Sequence, residues 1–382
     1  MLVELTIKDL TVGMYLVEII APKGKFLLRE SGLIKEQKTI LNLQKRGVER
    51  VLIDNSYVDP NLEEKKSLFK EDIIIAKRVF DESKVIQKKI FYDAENGNPL
   101  DLNAVNSITD ESIDLIFKNP DALSCVLNLR KKDEYLLEHS VAVSVLITLF
   151  AFHLKIEKEI VRKLAVGAFL HDVGKIKIAD EVLNKPGKFT DAEFTIMKKH
   201  AQYSIDIVKA IPGIDALSLE VVALHHEQLS GGGYPAALQE DEISFYGRMI
   251  SICDIFDALT STRCYKAGMA QVKAFNILRN LAKTNHLDKV LVDQFILCMG
   301  IYPVGSIVRL DSDHLAIVES QNKDDPIRPH VKPFYCLGGN EFSAEKNIDL
   351  STTDAALIVK CVRASDFNLD MQEIIDYLAH QG

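Results

Sequence analysis

The stretch Phe169-Leu170-His171-Asp172-Val173-Gly174-Lys175 carries the most chemical information in this sequence. It places a histidine directly before an aspartate at the end of an apolar helical segment, residues 164–170, and a glycine and a lysine follow. Adjacent residues of a helix point about 100° apart, so His171 and Asp172 reach one metal only where the helix ends or in a crevice. A carboxylate can bridge two metals, which an imidazole cannot. Taken alone, the dipeptide fits a helix-capping aspartate beside a core histidine equally well.

Composition restricts the class of protein. The chain has 382 residues, of which 47% are hydrophobic and 26% are charged, which is typical of a globular protein with two or three domains. The formal net charge of −9 argues against a broad basic surface for polymeric nucleic acid. A small anionic substrate stays compatible with this charge, because bound divalent cations would dominate the local field.

The cysteines and the apolar segments indicate the compartment. The six cysteines are scattered and form no CxxC motif. Since no secretory signal is recognised at the N-terminus, this pattern predicts reduced thiols and a cytoplasmic protein. The longest apolar run, residues 141–152, is too short to cross a bilayer and predicts a buried helix. We therefore expect no membrane insertion.

Periodicity predicts a mainly α protein of four regions. Residues 1–60 alternate like strands around one helix and predict a small α/β module. Residues 61–120 predict a helical connector, and residues 121–300 predict a bundle of helices with glycine and proline confined to the connections. Residues 301–382 predict a small, mostly β segment that ends in a helix. The strands expected there are residues 305–310, 315–319, 331–335 and 356–359, and the terminal helix is 371–378.

The helix predicted over residues 62–93 is unusually charged. Its many lysines fit a solvated connector or a dimerising helix better than a core element. A homodimer is therefore one of the two arrangements that this segment predicts.

Histidines and aspartates recur throughout the helical region. The candidate ligands are His139, His171, His200, His225 and His226, with His153 as a doubtful sixth. Asp254 and Asp257 lie three residues apart, hence on one face of an otherwise apolar helix. Buried carboxylates without a partner are costly, so this pair calls for a cation or a dense hydrogen-bond network. Neutral imidazoles with carboxylates suit Fe, Mn or Zn.

These residues belong to a longer series of motifs with a recognisable order. The series is His139-Ser140, His171-Asp172-Val173-Gly174-Lys175, Leu183-Asn184-Lys185-Pro186-Gly187-Lys188, His200, His225-His226-Glu227, Gly231-Gly232-Gly233-Tyr234-Pro235 and Asp254-Ile255-Phe256-Asp257-Ala258-Leu259-Thr260. Over residues 125–300 the chain resembles the HD-GYP family of bacterial cyclic-dinucleotide phosphodiesterases, within the HD metal-dependent phosphohydrolases. The resemblance implies an all-helical, HD-type metal-binding bundle. Residues 1–60 resemble the module often fused to such domains, through Lys8-Asp9-Leu10-Thr11-Val12-Gly13-Met14-Tyr15.

The resemblance implies two divalent metal ions, iron or manganese. It makes His139, His171, Asp172 and Asp254 ligands of the first metal, and His200, His225 and His226 ligands of the second, with Asp172 bridging. Tyr135 stands where members with a third metal have a glutamate.

The resemblance also implies roles around the metals. Lys175 would contact a phosphate oxygen, and Asp257 would orient the nucleophile with Asp133 as its counterpart. A helix cap or a holder of a metal ligand is the alternative for both aspartates. Substrate would be bound by Gly233, Tyr234, Pro235, Arg263 and Lys266, with a solvated surface as the alternative for the last two.

The expected function is hydrolysis of cyclic di-GMP to pGpG, with GMP as an open further product, by a metal-bridging hydroxide in bacterial second-messenger signalling. The alternatives are the same reaction on 3',3'-cyclic GMP-AMP and a slow or inactive cyclic-dinucleotide sensor. The Gly-Tyr-Pro segment argues against a general nucleotidase. Departures from the family pattern, notably Ser230, Cys264 and residues 236–240, put specificity in doubt, and none removes a metal ligand.

Overall fold

The computed structural model describes residues 2–7, 10, 14–21, 31–34, 37–54, 60–128, 135–261, 268–322, 325, 327–343, 345–352, 356–370, 373–374 and 377–378. Within these ranges, the side chains of residues 33, 37, 38, 41, 60–71, 128, 135, 136 and 365 are not described. The chain divides into two compact units, Met1–Glu71 and Asp72–Gly382.

The first unit is a small antiparallel sheet with one helix. Its elements are β1 (Leu2–Thr6), β2 (Tyr15–Ala21), β3 (Gly32–Leu33), α1 (Gln37–Lys45) and β4 (Arg50–Asp54). The strands lie in the order β1-β4-β2-β3. Apolar side chains of the sheet and of α1, among them Ile40, Val51 and Ile53, form its core. The α/β character predicted for this region is confirmed.

The helix α2 (Pro60–Glu95) begins in the first unit and continues into the second. Its residues Ala76, Val79 and Phe80, and later Ile90 and Phe91, belong to the core of the second unit. The prediction that this helix is no core element was therefore wrong for residues 72–95. Between the lysines, apolar residues recur every three or four positions, which is the signature of a helix packed on one side.

The central part of the second unit is a bundle of helices, as predicted. Its helices are α3 (Leu102–Lys118), α4 (Pro120–Asn128), α5 (Tyr135–His153), α6 (Lys158–Leu170), α7 (Asp180–Leu183), α8 (Asp191–Lys209), α9 (Ala216–Leu224), α10 (Phe245–Thr260), α11 (Gln271–Lys283) and α12 (Lys289–Met299), with 3-10 turns at Val173–Lys177 and Glu240–Glu242. Residues 141–152, predicted as a buried helix, lie inside α5 and are almost all buried. Among the described residues, no helix combines the length and apolarity that a bilayer span requires.

Two glycines bring the central helices close together. A Cβ on Gly167 of α6 would lie 2.6 Å from the Ser218 carbonyl oxygen of α9. A Cβ on Gly174 would lie 2.3 Å from the His200 carbonyl oxygen and 2.3 Å from the Ser204 nitrogen of α8. Real side chains do not tolerate such distances. These positions therefore require glycine for packing, and they set the spacing between the segments that carry His171 and His200.

The C-terminal region is a six-stranded antiparallel sheet. Its strands are β5 (Ile307–Leu310), β6 (His314–Ser320), β7 (His330–Cys336), β8 (Glu341–Phe342), β9 (Ile348–Asp349) and β10 (Ile358–Val362). The order is β10-β5-β6-β7-β8, with β9 also paired to β7. The β5–β6 hairpin turns at residues 311–313, between the strands predicted at residues 305–310 and 315–319. Half of the predicted helix 371–378 lies outside the described residues.

Candidate metal centre

Five segments of the bundle bring the candidate ligands to one place. His139 lies near the start of α5, His171 and Asp172 directly follow α6, and His200 lies within α8. His225 and His226 directly follow α9, and Asp254 lies within α10. All are buried except His226, whose side chain is 21% exposed. A site of this kind is held by the core and has one accessible side.

Asp172 lies between two groups of imidazoles. Its Oδ2 atom is 3.4 Å from Nε2 of His139 and 3.4 Å from Nε2 of His171. Its Oδ1 atom is 3.3 Å from Nε2 of His200. The two oxygens of one carboxylate thus face different histidines, which is the arrangement that a bridging ligand requires.

Asp254 joins the two groups from the opposite helix. Its Oδ1 atom is 3.0 Å from Nε2 of His139 and 3.8 Å from Nε2 of His171. Its Oδ2 atom is 3.3 Å from Nδ1 of His226, whose Nε2 is 3.1 Å from Nε2 of His200. Three overlapping sets of potential ligand atoms each lie within 4.8 Å of one another. These sets are His139, His171 and Asp254; His171, Asp172 and His225; and His200, His225 and His226.

Backbone hydrogen bonds set the tautomers of three rings. Nδ1 of His171 donates to the Ala168 carbonyl at 2.6 Å, and Nδ1 of His200 to the Met197 carbonyl at 2.6 Å. Nδ1 of His225 donates to the Val222 carbonyl at 2.7 Å. A carbonyl oxygen only accepts, so we assign the proton to Nδ1, and each neutral ring keeps a lone pair on Nε2. That lone pair is the one a metal binds.

The donor set fits a divalent cation. Nε2 of His171, Oδ1 of Asp172 and Nε2 of His225 are buried and have no hydrogen-bond partner among the described residues. Buried polar atoms without a partner cost free energy. Since these three atoms all offer lone pairs toward one region, a cation satisfies them together.

Electrostatics supports neutral imidazoles beside ionised carboxylates. Burial lowers the pKa of His200 to about 4 and that of His226 to about 3. Burial alone would raise the pKa of Asp172, but the charge of Lys175 and the neighbouring His171 hold that pKa well below its usual range. His139 differs: burial lowers its pKa, but hydrogen bonds to Asp254 and Asp257 outweigh burial and raise the pKa to about 9. Two carboxylates therefore demand positive charge at this ring, which a metal at Nε2 would supply in place of a proton.

Asp257 contacts the ring of His139 from behind. Its Oδ2 atom accepts hydrogen bonds from Nδ1 of His139 at 2.8 Å and from Oγ of Ser261 at 2.9 Å. Nε2 of the same ring faces Asp172 and Asp254, so Asp257 lies on the side away from the centre. This geometry favours the ligand-holding alternative over the predicted contact with a nucleophile. Lys175 was predicted to contact phosphate, and its Nζ forms an ion pair with Oδ2 of Asp172.

The Gly-Tyr-Pro loop contacts His226 through the ring and the backbone of Tyr234. The Tyr234 ring centroid lies 4.6 Å from that of His226, and the Tyr234 N–H donates to the His226 carbonyl at 3.2 Å. A Cβ on Gly233 would lie 2.5 Å from the Gln228 nitrogen. A side chain at position 233 would clash with the protein's own backbone, so this position requires glycine. Pro235 follows in an exposed position.

Sequence reasoning missed the role of Glu227. Its buried carboxylate accepts hydrogen bonds from the Ala236 N–H at 2.8 Å and from the Leu238 N–H at 3.0 Å. It therefore anchors the far end of the loop that begins beside His226. The only signal in the sequence was an acid directly after two histidines in an apolar run.

The remaining candidates do not belong to the described centre. Asp133, Arg263 and Lys266 lie outside the described residues, so their predicted roles stay predictions. His153, the doubtful sixth histidine, lies at the end of α5 with Nε2 3.4 Å from Oε1 of Gln294, and it does not belong to the cluster.

Comparisons with known proteins assign two parts of the chain to described families. A family described as an HD domain matches residues 123–291, and a domain of unknown function (DUF3391) matches residues 2–105. The cyclic di-GMP phosphodiesterase PA4108 of Pseudomonas aeruginosa is 34% identical over 281 residues, which cover 73% of this chain and 67% of that protein.

More distant relatives cover smaller parts. A cyclic di-GMP phosphodiesterase of Thermotoga maritima is 33% identical over 44% of this chain and 46% of its own. The 3'3'-cGAMP-specific phosphodiesterase 1 of Vibrio cholerae is 32% identical over 43% of this chain and 38% of its own. The chain thus spans less than half the length of these two relatives. Among solved structures, Bd1817, a HDG"Y"P protein from Bdellovibrio bacteriovorus, has a TM-score of 0.49 at 17% identity, and the match covers 77% of this chain and 98% of that chain.

A helical bundle that matches the HD domain and buries imidazoles beside carboxylates defines the class of HD metal-dependent phosphohydrolases. Within that class, the chain belongs to the HD-GYP family. The homodimer considered for residues 62–93 is not tested by these findings and stays a prediction.

Proposed function

We propose that this protein is a metal-dependent phosphodiesterase that hydrolyses cyclic di-GMP to pGpG in bacterial second-messenger signalling. The observation that carries the proposal is the position of Asp172, whose two oxygens face separate groups of histidines. The relatives named as cyclic di-GMP phosphodiesterases support the substrate. Whether the product is cleaved further to GMP is left to the assay.

We assign the metals in two groups. His139, His171 and Asp254 would hold one ion, His200, His225 and His226 would hold the other, and Asp172 would bridge them. When bound, two such ions lower the pKa of a shared water and neutralise charge on the phosphate. Nitrogen and oxygen donors suit iron or manganese, and among the described residues no cysteine belongs to a ligand set.

The chain's own residues complete the site. Lys175 provides a fixed positive charge next to Asp172, where it would contact a phosphate oxygen of the substrate. Tyr234 offers a ring to a guanine base beside His226. Burial raises the pKa of the Tyr234 phenol above its ordinary value, so the phenol stays neutral and does not repel an anionic substrate.

We also place the enzyme in the cytoplasm. Every cysteine in the described part of the chain is free, which is typical of a reducing compartment. The binding partner of the site in that compartment would be its substrate, a cyclic dinucleotide.

The experiment is a turnover assay with the protein purified under low oxygen with manganese or iron. We expect cyclic di-GMP to be converted to pGpG, and Asp172→Ala and His225→Ala to lose both bound metal and hydrolysis. His153→Ala is the matched control, because it removes an imidazole outside the cluster. The proposal fails if the loaded wild-type protein binds cyclic di-GMP without converting it, which is the behaviour of a sensor.

A second substrate has support of its own. Three relatives are named 3'3'-cGAMP-specific phosphodiesterases, and residues 236–240 depart from the usual family pattern. Parallel assays with 3',3'-cyclic GMP-AMP compare kcat/KM for the two substrates. A higher value for the mixed dinucleotide would replace the first assignment.

A further inference from the structure

The outer side of α2 carries a line of exposed apolar side chains. Ile74, Val85 and Tyr92 are 61%, 69% and 62% exposed. At about 100° per residue, separations of 11 and 7 residues each fall within about 20° of whole turns. The three side chains therefore lie in one row, on the face opposite Ala76, Val79 and the rest of the core face of the helix.

Charges are distributed unevenly along this row. Asp81 and Glu82 lie one turn before Val85, and Lys88 and Lys89 lie one turn after it. Asp81 and Glu82 contact Lys84 and Arg78 of their own helix, yet their side chains stay 54% and 49% exposed.

The basic pair is more open. Within the described part of the chain Lys88 makes no ion pair, and Lys89 lies 4.0 Å from Asp101 with its side chain 61% exposed. The acidic pair and the basic pair are thus both available to a neighbouring molecule.

This pattern is complementary to itself in one orientation. If a second α2 packs antiparallel with the two copies of Val85 facing each other, the acidic pair of each helix faces the basic pair of the other. Parallel packing would place acid against acid and base against base. Opposite charges across a helix interface specify orientation, and like charges exclude the alternative.

We propose that the outer face of α2 is a homodimer interface, in which a second copy of this chain packs antiparallel about a two-fold axis through Val85. The proposal does not depend on the catalytic activity. Residues 74–92 of one helix span about 27 Å, and stable interfaces bury about 800 Å² per partner. One helix face supplies only part of that area, so we expect a dimer that dissociates on dilution.

The first test uses sedimentation of the full chain over a range of concentrations. We expect a monomer–dimer equilibrium in the wild type. Two double variants reverse the charges on α2. One is Asp81→Lys with Glu82→Lys, and the other is Lys88→Glu with Lys89→Glu. Each should weaken dimerisation at least 10-fold. Mixing the two variants should restore it as a heterodimer. Lys273→Glu with Lys283→Glu on α11 is the control, because it makes the same charge change at positions on another helix.

The second test measures geometry. Val85→Cys should join two copies through a short bismaleimide, because the axis brings both residues together. Ile74→Cys should not, since its two copies would lie about 33 Å apart. A wild type that stays monomeric throughout, a mixture that dimerises no better than its components, or efficient coupling through residue 74 overturns the proposal. Circular dichroism of each variant separates these outcomes from misfolding.

Discussion

The two ring nitrogens of His139 contact different carboxylates. Nε2 lies 3.0 Å from Asp254 in the centre, and Nδ1 lies 2.8 Å from Asp257 behind the ring. A carboxylate on the far nitrogen fixes the orientation of a metal-binding imidazole and raises its basicity. We therefore propose that Asp257 positions the His139 ring.

Asp257→Asn tests this role. The substitution keeps the shape of the side chain and removes its charge, so we expect metal affinity or turnover to fall about 10- to 100-fold while the melting temperature changes little. Metal titration and kcat are the measurements. Ser261→Ala, which removes the other hydrogen bond to the same oxygen, should have a much smaller effect. Unchanged metal affinity and kcat in Asp257→Asn would contradict the assignment.

At the residue scale the sequence was informative about residue types and poor about contacts. Six of the seven predicted ligands are buried together, because polar groups inside apolar helices are stable when they share a cation or hydrogen bonds. The contact between His139 and Asp257 joins residues 118 positions apart. No local pattern encodes which ring nitrogen an aspartate contacts, so the spacing of residues could not decide the role of Asp257.

At the element scale, the loop from His226 to Gln239 depends on one buried acid. The carboxylate of Glu227 accepts two backbone N–H groups on the far side of the loop. Hydrogen bonds to a buried charge are stronger than neutral ones. This anchor keeps Tyr234 against His226.

Glu227→Gln should loosen the loop without removing a proposed ligand. Glutamine has one acceptor oxygen and an NH₂ group, so one backbone N–H would face a donor. A loss of about 1.5–3 kcal/mol corresponds to an increase in KM of about 10-fold or more, with metal content unchanged. Glu242→Gln is the control, because that exposed carboxylate accepts a hydrogen bond from the Gln239 N–H outside the site. Equal KM values for the two variants would refute the anchor.

Gly174 governs the approach of α8 to the turn after α6. In Gly174→Ala the new methyl group meets the backbone of His200 and Ser204, which cannot move independently of α8. We expect a destabilisation of about 2 kcal/mol and a melting temperature about 5 °C lower. Gly338→Ala is the matched control, since its Cβ meets nothing within 4 Å. Equal thermal denaturation curves for the two variants would show that the close approach is not tight.

The sequence predicted most elements, and α2 shows where such prediction ends. Strand alternation located the β5–β6 hairpin, and apolar length located α5. For α2 the lysines dominated the composition, although Val79, Phe80 and Ile90 occupy one buried face. Which charged helix packs and which stays solvated depends on whether a neighbouring surface exists, and a single segment does not contain that information.

At the scale of the whole molecule, we expect metal binding to contribute to folding stability. The centre joins segments from α5, α6, α8, α9 and α10, and it buries carboxylates whose charge needs a partner. A cation therefore connects five helical segments from different parts of the chain. Ions that bind the folded state alone stabilise it by mass action.

Removal of metal by a chelator should lower the melting temperature. An ion at 100 times its dissociation constant contributes about 2.7 kcal/mol, or about 5–10 °C for a domain of this size. Adding manganese back should restore the value. The same treatment should leave Asp172→Ala unaffected, and an equal fall in that variant would show that the chelator acts elsewhere.

The inner side of α2 holds one more contact, between Nζ of Lys84 and Oε1 of the buried Glu138 at 3.4 Å. Glu138 is the residue directly before His139, and Lys84 directly precedes Val85 in the exposed row. The ion pair thus links α2 to the residue that directly precedes His139, a proposed metal ligand. One helix therefore carries the exposed row on its outer side and, on another side, a contact to the segment that leads into the proposed metal centre.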